Sequence, residues 1–240
     1  VQTRFAEDSR NSDNISVIFE ILSGPQYEFA KVQLPGLAAA VETDAKMLRE
    51  SYGLTAGRTI NTDQIVDAQK RLQQGLAENG YPFARLDEPE LVIDHAARSG
   101  NLTQPVVPGG RYKFGAISIA NTQLFGPEHV QLIARFDRGE LYKSSDVEDL
   151  RRALIATGLV STVSLDPVVS SEPEHIDLAI NLTPAPLRTI AGELGYGTGE
   201  GIRAEASWEH RNFFPPEGML RLTGVVATQE QAASITLRRN

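Results

Sequence analysis

Apolar residues along this chain recur with two different periods, and the periods change in a fixed order. Near the start, Ile15 to Leu22 reads ISVIFEIL, an apolar and β-branched run closed by Ser23 and Gly24. The polar stretch Asp8 to Asn14 separates it from a first candidate strand, Val1 to Glu7. Together they predict a hairpin, which is too little to hold a core of its own. Further on the period lengthens to that of a helix: Ile65, Ala68, Leu72 and Leu76 share one face, as do Val147, Leu150 and Leu154. After Pro186 the period returns to two. Ile190, Leu194 and Tyr196 alternate with polar or glycine positions. Ile202, Ala204, Ala206 and Trp208 alternate with Arg203, Glu205, Ser207 and Glu209, and Leu220 and Leu222 alternate with Arg221 and Thr223. About four strands of roughly ten residues are predicted there, each with one apolar and one polar face.

That tail pattern suits two structures. One is a soluble antiparallel sheet with a wet face. The other is a run of transmembrane barrel strands whose charged residues face the lumen. The smallest membrane barrels need about eight strands, so a barrel reading makes the tail the beginning of one. In water without lipid, the apolar faces carrying Ile190, Leu194, Ile202, Trp208, Leu220 and Leu222 are then expected to meet a neighbouring copy, to fold back on the rest of the chain, or to aggregate.

Between the hairpin and the tail the sequence repeats itself. Gly24-Pro25-Gln26-Tyr27-Glu28-Phe29-Ala30 returns as Gly109-Gly110-Arg111-Tyr112-Lys113-Phe114-Gly115. An alternating strand follows each copy, Lys31 to Leu34 and Ala116 to Ile119, and then a short helix, Asp44 to Ser51 and Pro127 to Arg135. Pro127 suits a first helical turn. A second helix starts in each copy after a capping-box spacing, Asn61 with Gln64 and Ser145 with Glu148. Gly80 and Gly158 stop these helices. Strands are predicted next at Pro82 to Leu86 and Leu159 to Leu165. A last strand completes each copy, at Leu91 to His95 (continued at Leu102 to Val107) and at Ile176 to Leu182. Each unit is therefore strand–helix–helix–strand–strand.

Composition narrows the function. A chain of 240 residues that is 41% apolar can bury real cores. It holds no run of about 18 apolar residues, so no spanning helix is predicted. Val1 opens mid-pattern without a signal peptide, as in a mature or trimmed chain. The absence of cysteine excludes a disulfide framework and a thiolate metal site. Net charge −8 with no basic stripe argues against nucleic acid as a partner. His95, His129, His175 and His210 have no metal-ligand spacing, and no GxSxG or cysteine nucleophile exists. Gly195-Tyr196-Gly197-Thr198-Gly199 lacks the Gly-Lys-Ser/Thr ending of a phosphate loop and reads as a hairpin turn. The reading is of a non-enzyme with no cofactor and no metal.

The run from Arg188 to Gly218, above all WEHRNFFPPEG from Trp208, resembles the barrel opening of the TamA branch of outer-membrane assembly proteins. That family is also known as bacterial surface antigen, has a 16-stranded type of barrel, and includes BamA. Arg211, Asn212, Phe213 and Phe214 match its Arg-Asn-aromatic-Phe turn, while Pro215-Pro216 replaces the usual Gly-Arg. The two repeats resemble its polypeptide-transport-associated (POTRA) domains, with Leu159 departing from the aromatic found after the helix. The resemblance implies an α+β fold of tandem POTRA domains followed by the first strands of a transmembrane β-barrel. Expected divisions are 1–24, the closing hairpin of a truncated first POTRA; 25–108 and 109–185, two POTRA domains; and 186–240, incomplete barrel. The orphan hairpin implies at least three POTRA units, which sets the chain apart from two-partner secretion transporters with two.

By the same resemblance the chain lies at the outer membrane of a Gram-negative bacterium, with its POTRA domains in the periplasm. It helps insert or secrete outer-membrane proteins such as autotransporters. The alternatives are a BamA-type assembly factor and a soluble periplasmic interaction module. Expected partners are unfolded outer-membrane proteins, an inner-membrane or periplasmic subunit, and the bilayer. Two helices cover one face of a three-stranded sheet and leave its edges for β-augmentation by an extended chain. The candidate edge strands are Pro82, Phe83, Ala84, Arg85 and Leu86 in one unit, and Val160, Ser161, Thr162 and Val163 in the other. Asp87 and Glu88, just after the first, also suit plain protection of an edge. In the family, substrate strands are thought to enter at the seam beside the first barrel strand, here Arg188 to Thr198. Ile190, Gly192, Leu194, Gly195, Tyr196 and Gly197 would line it, the glycines weakening its packing. Trp208, at a strand end, with Phe213 and Phe214, would mark the membrane interface.

Overall fold

The computed structural model describes residues 2–7, 15–20, 24–120, 124–197 and 201–239, the first two stretches by their backbone. Strands β1 (Gln2–Glu7) and β2 (Ile15–Glu20) pair antiparallel from Gln2 with Glu20 to Glu7 with Ile15. The expected turn Asp8 to Asn14 and the end of the apolar run, Ile21 and Leu22, lie outside the described residues.

The first POTRA unit starts with β3 (Glu28–Gln33), a 3₁₀ turn (Leu37–Ala39), α1 (Glu42–Tyr52) and α2 (Thr62–Glu78). Asn61 caps α2 as its spacing predicts, its Oδ1 accepting from Asp63 N at 2.8 Å and Gln64 N at 3.4 Å. The predicted face of α2, Ile65, Ala68, Leu72 and Leu76, is buried against Phe29, Leu48, Tyr52 and Leu102. Each such leucine stabilises the fold by about 1.5–3 kcal/mol. After α2 come β4 (Arg85–Leu86), β5 (Glu90–Asp94), β6 (Ser99–Thr103) and β7 (Val106–Val107). The sheet runs β3-β6-β5, with β3 parallel to β6 and β5 antiparallel to it. A parallel neighbour needs a long crossover, which the two helices supply.

This arrangement corrects the predicted edge strand Pro82 to Leu86. Only Arg85 and Leu86 are extended, and they pair with Val107 and Val106 away from the main sheet. Gly80 has φ +94°, and the chain then turns tightly, with Ala84 N bonded to Tyr81 O. Gln73 Nε2 of α2 donates to Ala84 O at 3.0 Å, and Phe83 packs edge-on to Tyr112 at 5.4 Å. Helix and following unit thus occupy the segment, and the true outer strand is β5. Leu91 to His95 and its expected continuation at Leu102 to Val107 do not run on as one strand: the chain turns back at 95–98, where Asp94 Oδ1 accepts from Ala96 N and Ala97 N.

The second unit repeats the plan with β8 (Lys113–Ile119), α3 (Pro127–Ile133), α4 (Ser144–Ala156), β9 (Val160–Val169) and β10 (His175–Pro184), in sheet order β8-β10-β9. Pro127 occupies the first turn of α3. Val147, Leu150 and Leu154 are buried with Phe114, Phe136 and Ile180. The capping box at Ser145 and Glu148 does not form, because α4 starts earlier and Lys143 is its N-cap. Glu148 pairs with Arg151 at 3.1 Å. Glu78, from α2 of the other unit, takes over the cap: it accepts from Ser144 Oγ, from Ser145 N at 2.7 Å and from Ser145 Oγ at 2.7 Å.

The tail is a four-stranded antiparallel meander: β11 (Arg188–Gly197), β12 (Gly201–Phe214), β13 (Gly218–Ala227) and β14 (Gln231–Arg238). Three of the strands reach or exceed the roughly 9–11 residues that cross a bilayer. Thr198 and Gly199 lie outside the described residues.

Candidate functional site

The register of the meander sorts its side chains into two faces. Ile190, Trp208, Leu222 and Ile235 form one row across the four strands, and Leu194, Ala204, Val226 and Gln231 another on the same face. Between them Gly192, Ala206, Gly224 and Ala233 make a row of small residues, and the hollow over them is a shallow trough of about 460 Å³. The intervening rows are polar: Thr189, Glu209, Arg221 and Thr236, then Ala191, Ser207, Thr223 and Ser234. Of the outcomes expected for the apolar face, folding back on the POTRA units does not occur. Ile190 is 82% exposed and Leu194 85%. The second face of this sheet is already charged and hydrogen-bonded, so it offers no core for the apolar face to turn into.

The six seam residues all lie on β11, which pairs with β12 on one side and has no second neighbour among the described strands. Ile190, Gly192, Leu194 and Tyr196 fall on the apolar face, Gly195 opposite Arg203 on the other, and Gly197 opposite Gly201 beside the turn. Trp208 is not at a strand end: it is mid-strand in β12, because that strand continues to Phe214. A chain of rings nonetheless joins it to the rim. Trp208 and His210 are 6.0 Å apart, His210 and Phe213 5.7 Å, and Phe213 and Phe214 4.9 Å. His210 is the link that sequence reading missed, since a histidine in alternation with charged residues carries no signal of its ring neighbours.

The polar face is tied to the second POTRA unit. Half-buried Glu209 accepts from Arg211 Nε at 3.2 Å and Arg221 Nε at 2.8 Å. Arg211 also donates to Pro186 O at 3.1 Å and Thr189 Oγ1 at 3.2 Å, and its own N–H bonds Leu187 O. From the POTRA side, His129 on α3 meets Glu217 in the β12–β13 turn at 3.0 Å and stacks on Phe125. Arg211, chosen in the sequence for its place in the turn motif, thus clamps the connector Pro186–Leu187 between β10 and β11.

The POTRA units meet at an equally specific joint. Burial alone would push the Glu78 carboxyl up, but the bonds from Ser144 and Ser145, with nearby Lys143, hold it below its ordinary value. Arg111 Nε sits 3.3 Å from the buried Asp44 carboxylate, which also accepts from Tyr81 Oη at 3.0 Å. Burial is the first cause that pushes the Tyr81 phenol up, and the bond to Asp44 adds to it. Tyr112 N bonds Gly80 O at 2.7 Å.

Edges of the POTRA sheets differ in cover. Val160 to Val163 do lie on an outer strand, β9. Helix α4 packs beside that strand, and Arg151 Nη1 donates to Val163 O at 3.1 Å. Among the described residues no group of three or more His, Asp or Glu side chains has metal-holding geometry.

Two units of parallel-and-antiparallel three-stranded sheet, each with two helices, running into an antiparallel meander with one apolar face, define a POTRA array joined to the start of a β-barrel. No family model matches the chain. Its likeness to the assembly family that includes TamA and BamA is carried by individual relatives. The chain is 23% identical over 208 residues to the outer membrane protein assembly factor BamA of Neorickettsia risticii, covering 87% of this chain and 28% of that protein. In fold it matches BamA from Haemophilus ducreyi lacking POTRA domains 1–3, with a TM-score of 0.75 at 18% identity, over 88% of this chain and 39% of the other. It also matches POTRA domains 3–5 of BamA from Haemophilus influenzae, with a TM-score of 0.52 at 18% identity, over 76% and 70% of the two chains. The chain thus spans little more than a quarter of the curated relative.

Proposed function

We propose that this chain is the periplasmic arm and barrel opening of an outer-membrane protein assembly factor. In this reading residues 1–24 close an earlier POTRA unit, 25–108 and 109–185 are POTRA units in the periplasm, and 186–240 begin a barrel in the bacterial outer membrane. The observation that carries it is the bare apolar face of β11–β14, in a meander held through Arg211 to the connector that leaves a POTRA unit. The chain acts without catalytic residues or cofactor: folding of the substrate in lipid drives the process.

Substrates are unfolded outer-membrane proteins, met first by a POTRA sheet edge and then by the β11 seam at Ile190, Gly192, Leu194, Gly195, Tyr196 and Gly197. A single-sided strand pairing and the small-residue row through Gly192 support a seam that opens. Trp208, Phe213 and Phe214, linked by His210, anchor the wall at the membrane interface. The TamA-like branch, serving autotransporters with an inner-membrane or periplasmic partner subunit, rests on the WEHRNFFPPEG turn. The likeness to Neorickettsia BamA supports a BamA-type factor equally well.

The test is made in the full-length protein, with Leu194→Cys and, as a control, Ala232→Cys on β14. A substrate barrel stalled in transit and carrying a cysteine in its terminal strand is expected to cross-link to position 194 and not to 232. Equal cross-linking at both, or at neither, would remove the seam. Depleting the protein and following several outer-membrane proteins separates the branches, since loss of autotransporters alone points to the TamA type.

A further inference from the structure

The two POTRA units seat the module that follows them on the same corner of the fold. Asp44 is the third residue of α1, and His129 is the third residue of α3. Gly80 and Gly158 each lie two residues past the end of the second helix, with φ +94° and +70°. An arginine of the following module lies over each glycine. A Cβ built at Gly80 would meet Arg111 Cγ at 3.0 Å, and one built at Gly158 would meet Arg211 Cδ at 3.9 Å. The helix residue then pairs across the joint: Asp44 with Arg111 at 3.3 Å, and His129 with Glu217 at 3.0 Å.

The corner is shared, but its polarity is reversed. Asp44 is an acid that takes a base from the next unit, whereas His129 takes an acid from the β12–β13 turn. The residue after each glycine changes in step. Tyr81 Oη accepts from Val41 N at 2.9 Å and donates to Asp44 Oδ2 at 3.0 Å, so it orients the carboxylate. Its counterpart Leu159 is equally buried, and His129 is held instead by stacking on Phe125 at 5.3 Å. With no carboxylate at 129, a hydroxyl has nothing to orient there, which accounts for Leu159 in place of the aromatic. Docking on the wrong corner would set Asp44 against Glu217, two acids, and His129 against Arg111, two bases. Discrimination of this kind comes from the mismatch as much as from the match.

We propose that this corner is a selective socket. Asp44 with Tyr81 admits a module that presents an arginine, and His129 with Leu159 admits one that presents a carboxylate. Tandem units of one plan are prone to dock in the wrong order as they fold, and the reversed charge opposes this. The inference goes beyond the assembly reading above and does not depend on where a substrate enters.

The test uses the full-length protein in detergent, with cysteines only where spin labels are placed. Lys70→Cys with Asp137→Cys spans the first joint, and Asp137→Cys with Glu230→Cys spans the second; all three positions are exposed. Double electron–electron resonance reads the fraction of molecules at the parent distance. Arg111→Glu sets two carboxylates together and is expected to lower that fraction about fivefold or more. Arg111→Gln, which is uncharged, should lower it much less. Adding Asp44→His to Arg111→Glu recreates the pair of the second joint and should restore the fraction to within about twofold of the parent. At the second joint His129→Asp should show the large loss, and His129→Asn a much smaller one. If charged and neutral variants are equally damaging, or equally harmless, the corner packs without selecting and the proposal is overturned. Failure of Asp44→His to rescue Arg111→Glu overturns it as well. Should the first-joint variants not fold, the two His129 variants decide alone, because that side chain is 27% exposed.

Discussion

Glu78, the last residue of α2, accepts a 2.7 Å hydrogen bond from the backbone N–H of Ser145 in the first turn of α4. One POTRA unit therefore caps a helix of the next. Removing the carboxylate leaves a helix end unsatisfied and loosens the joint, which Arg111 and Asp44 then hold without it. Glu78→Ala is expected to cost about 1 kcal/mol, the usual worth of an N-cap. Denaturant unfolding followed by a probe in residues 109–185 measures it, and a loss below a few tenths would show that the joint does not depend on this cap.

The same contact sets a pH dependence. The folded-state pKa of Glu78 is lowered, so its stabilisation is complete above the ordinary value of 4.5 and is lost as pH falls through the lower folded value. Wild type and Glu78→Gln should differ in unfolding midpoint at pH 7 and converge as the pH is taken well below 4.5. A gap that widens on acidification would contradict the sign.

Gly80 has φ +94°, and a Cβ built there would lie 2.6 Å from Leu141 Cδ1 and 3.0 Å from Arg111 Cγ. Gly80→Ala meets both a left-handed backbone and a filled joint. We expect about 1–3 kcal/mol of destabilisation, read by urea unfolding, with residues 25–108 and 109–185 affected together because the position serves both units.

Tyr52 is fully buried and its hydroxyl has no hydrogen-bond partner in the structure. Burial pushes its pKa up to about 12. Since an unpartnered buried hydroxyl costs about 1–3 kcal/mol, Tyr52→Phe should raise stability by about 1 kcal/mol. Thermal melting of the two proteins decides it, and a clear drop would reveal a partner for the hydroxyl.

Ala204 lies in the row with Leu194 and Val226, whereas Arg203 lies on the opposite face, level with Gly195 and Ala227. Arginine near the middle of a bilayer costs about 2–4 kcal/mol. In the full-length protein Ala204→Arg should therefore reduce assembled, heat-modifiable barrel far more than Arg203→Ala. The reverse order would invert the assignment of the two faces.

The sequence by itself determined the parts whose cause is local. Period-two alternation placed the strands of the tail and, through parity alone, both of their faces. The 3.6-residue stripe of Ile65, Ala68, Leu72 and Leu76 and the Asn61 cap gave α2. The repeated Tyr-x-Phe start announced that the plan occurs twice. These signals survive because each depends on neighbours within one or two turns.

The tertiary structure decided what depends on partners far away in the chain. Pro82 to Leu86 reads as a strand, yet α2 and Tyr112 claim it, and the outer edge passes to Glu90–Asp94. Ser145 reads as a cap, yet Glu78, 67 residues away, satisfies its N–H. His129 finds Glu217 across 88 residues. A strand pattern states which face is apolar but not which neighbour will pair with it, and a carboxylate in a helix does not state what lies beyond the helix end. Those choices are made only when sheet order and the joint between units bring the groups within hydrogen-bond reach.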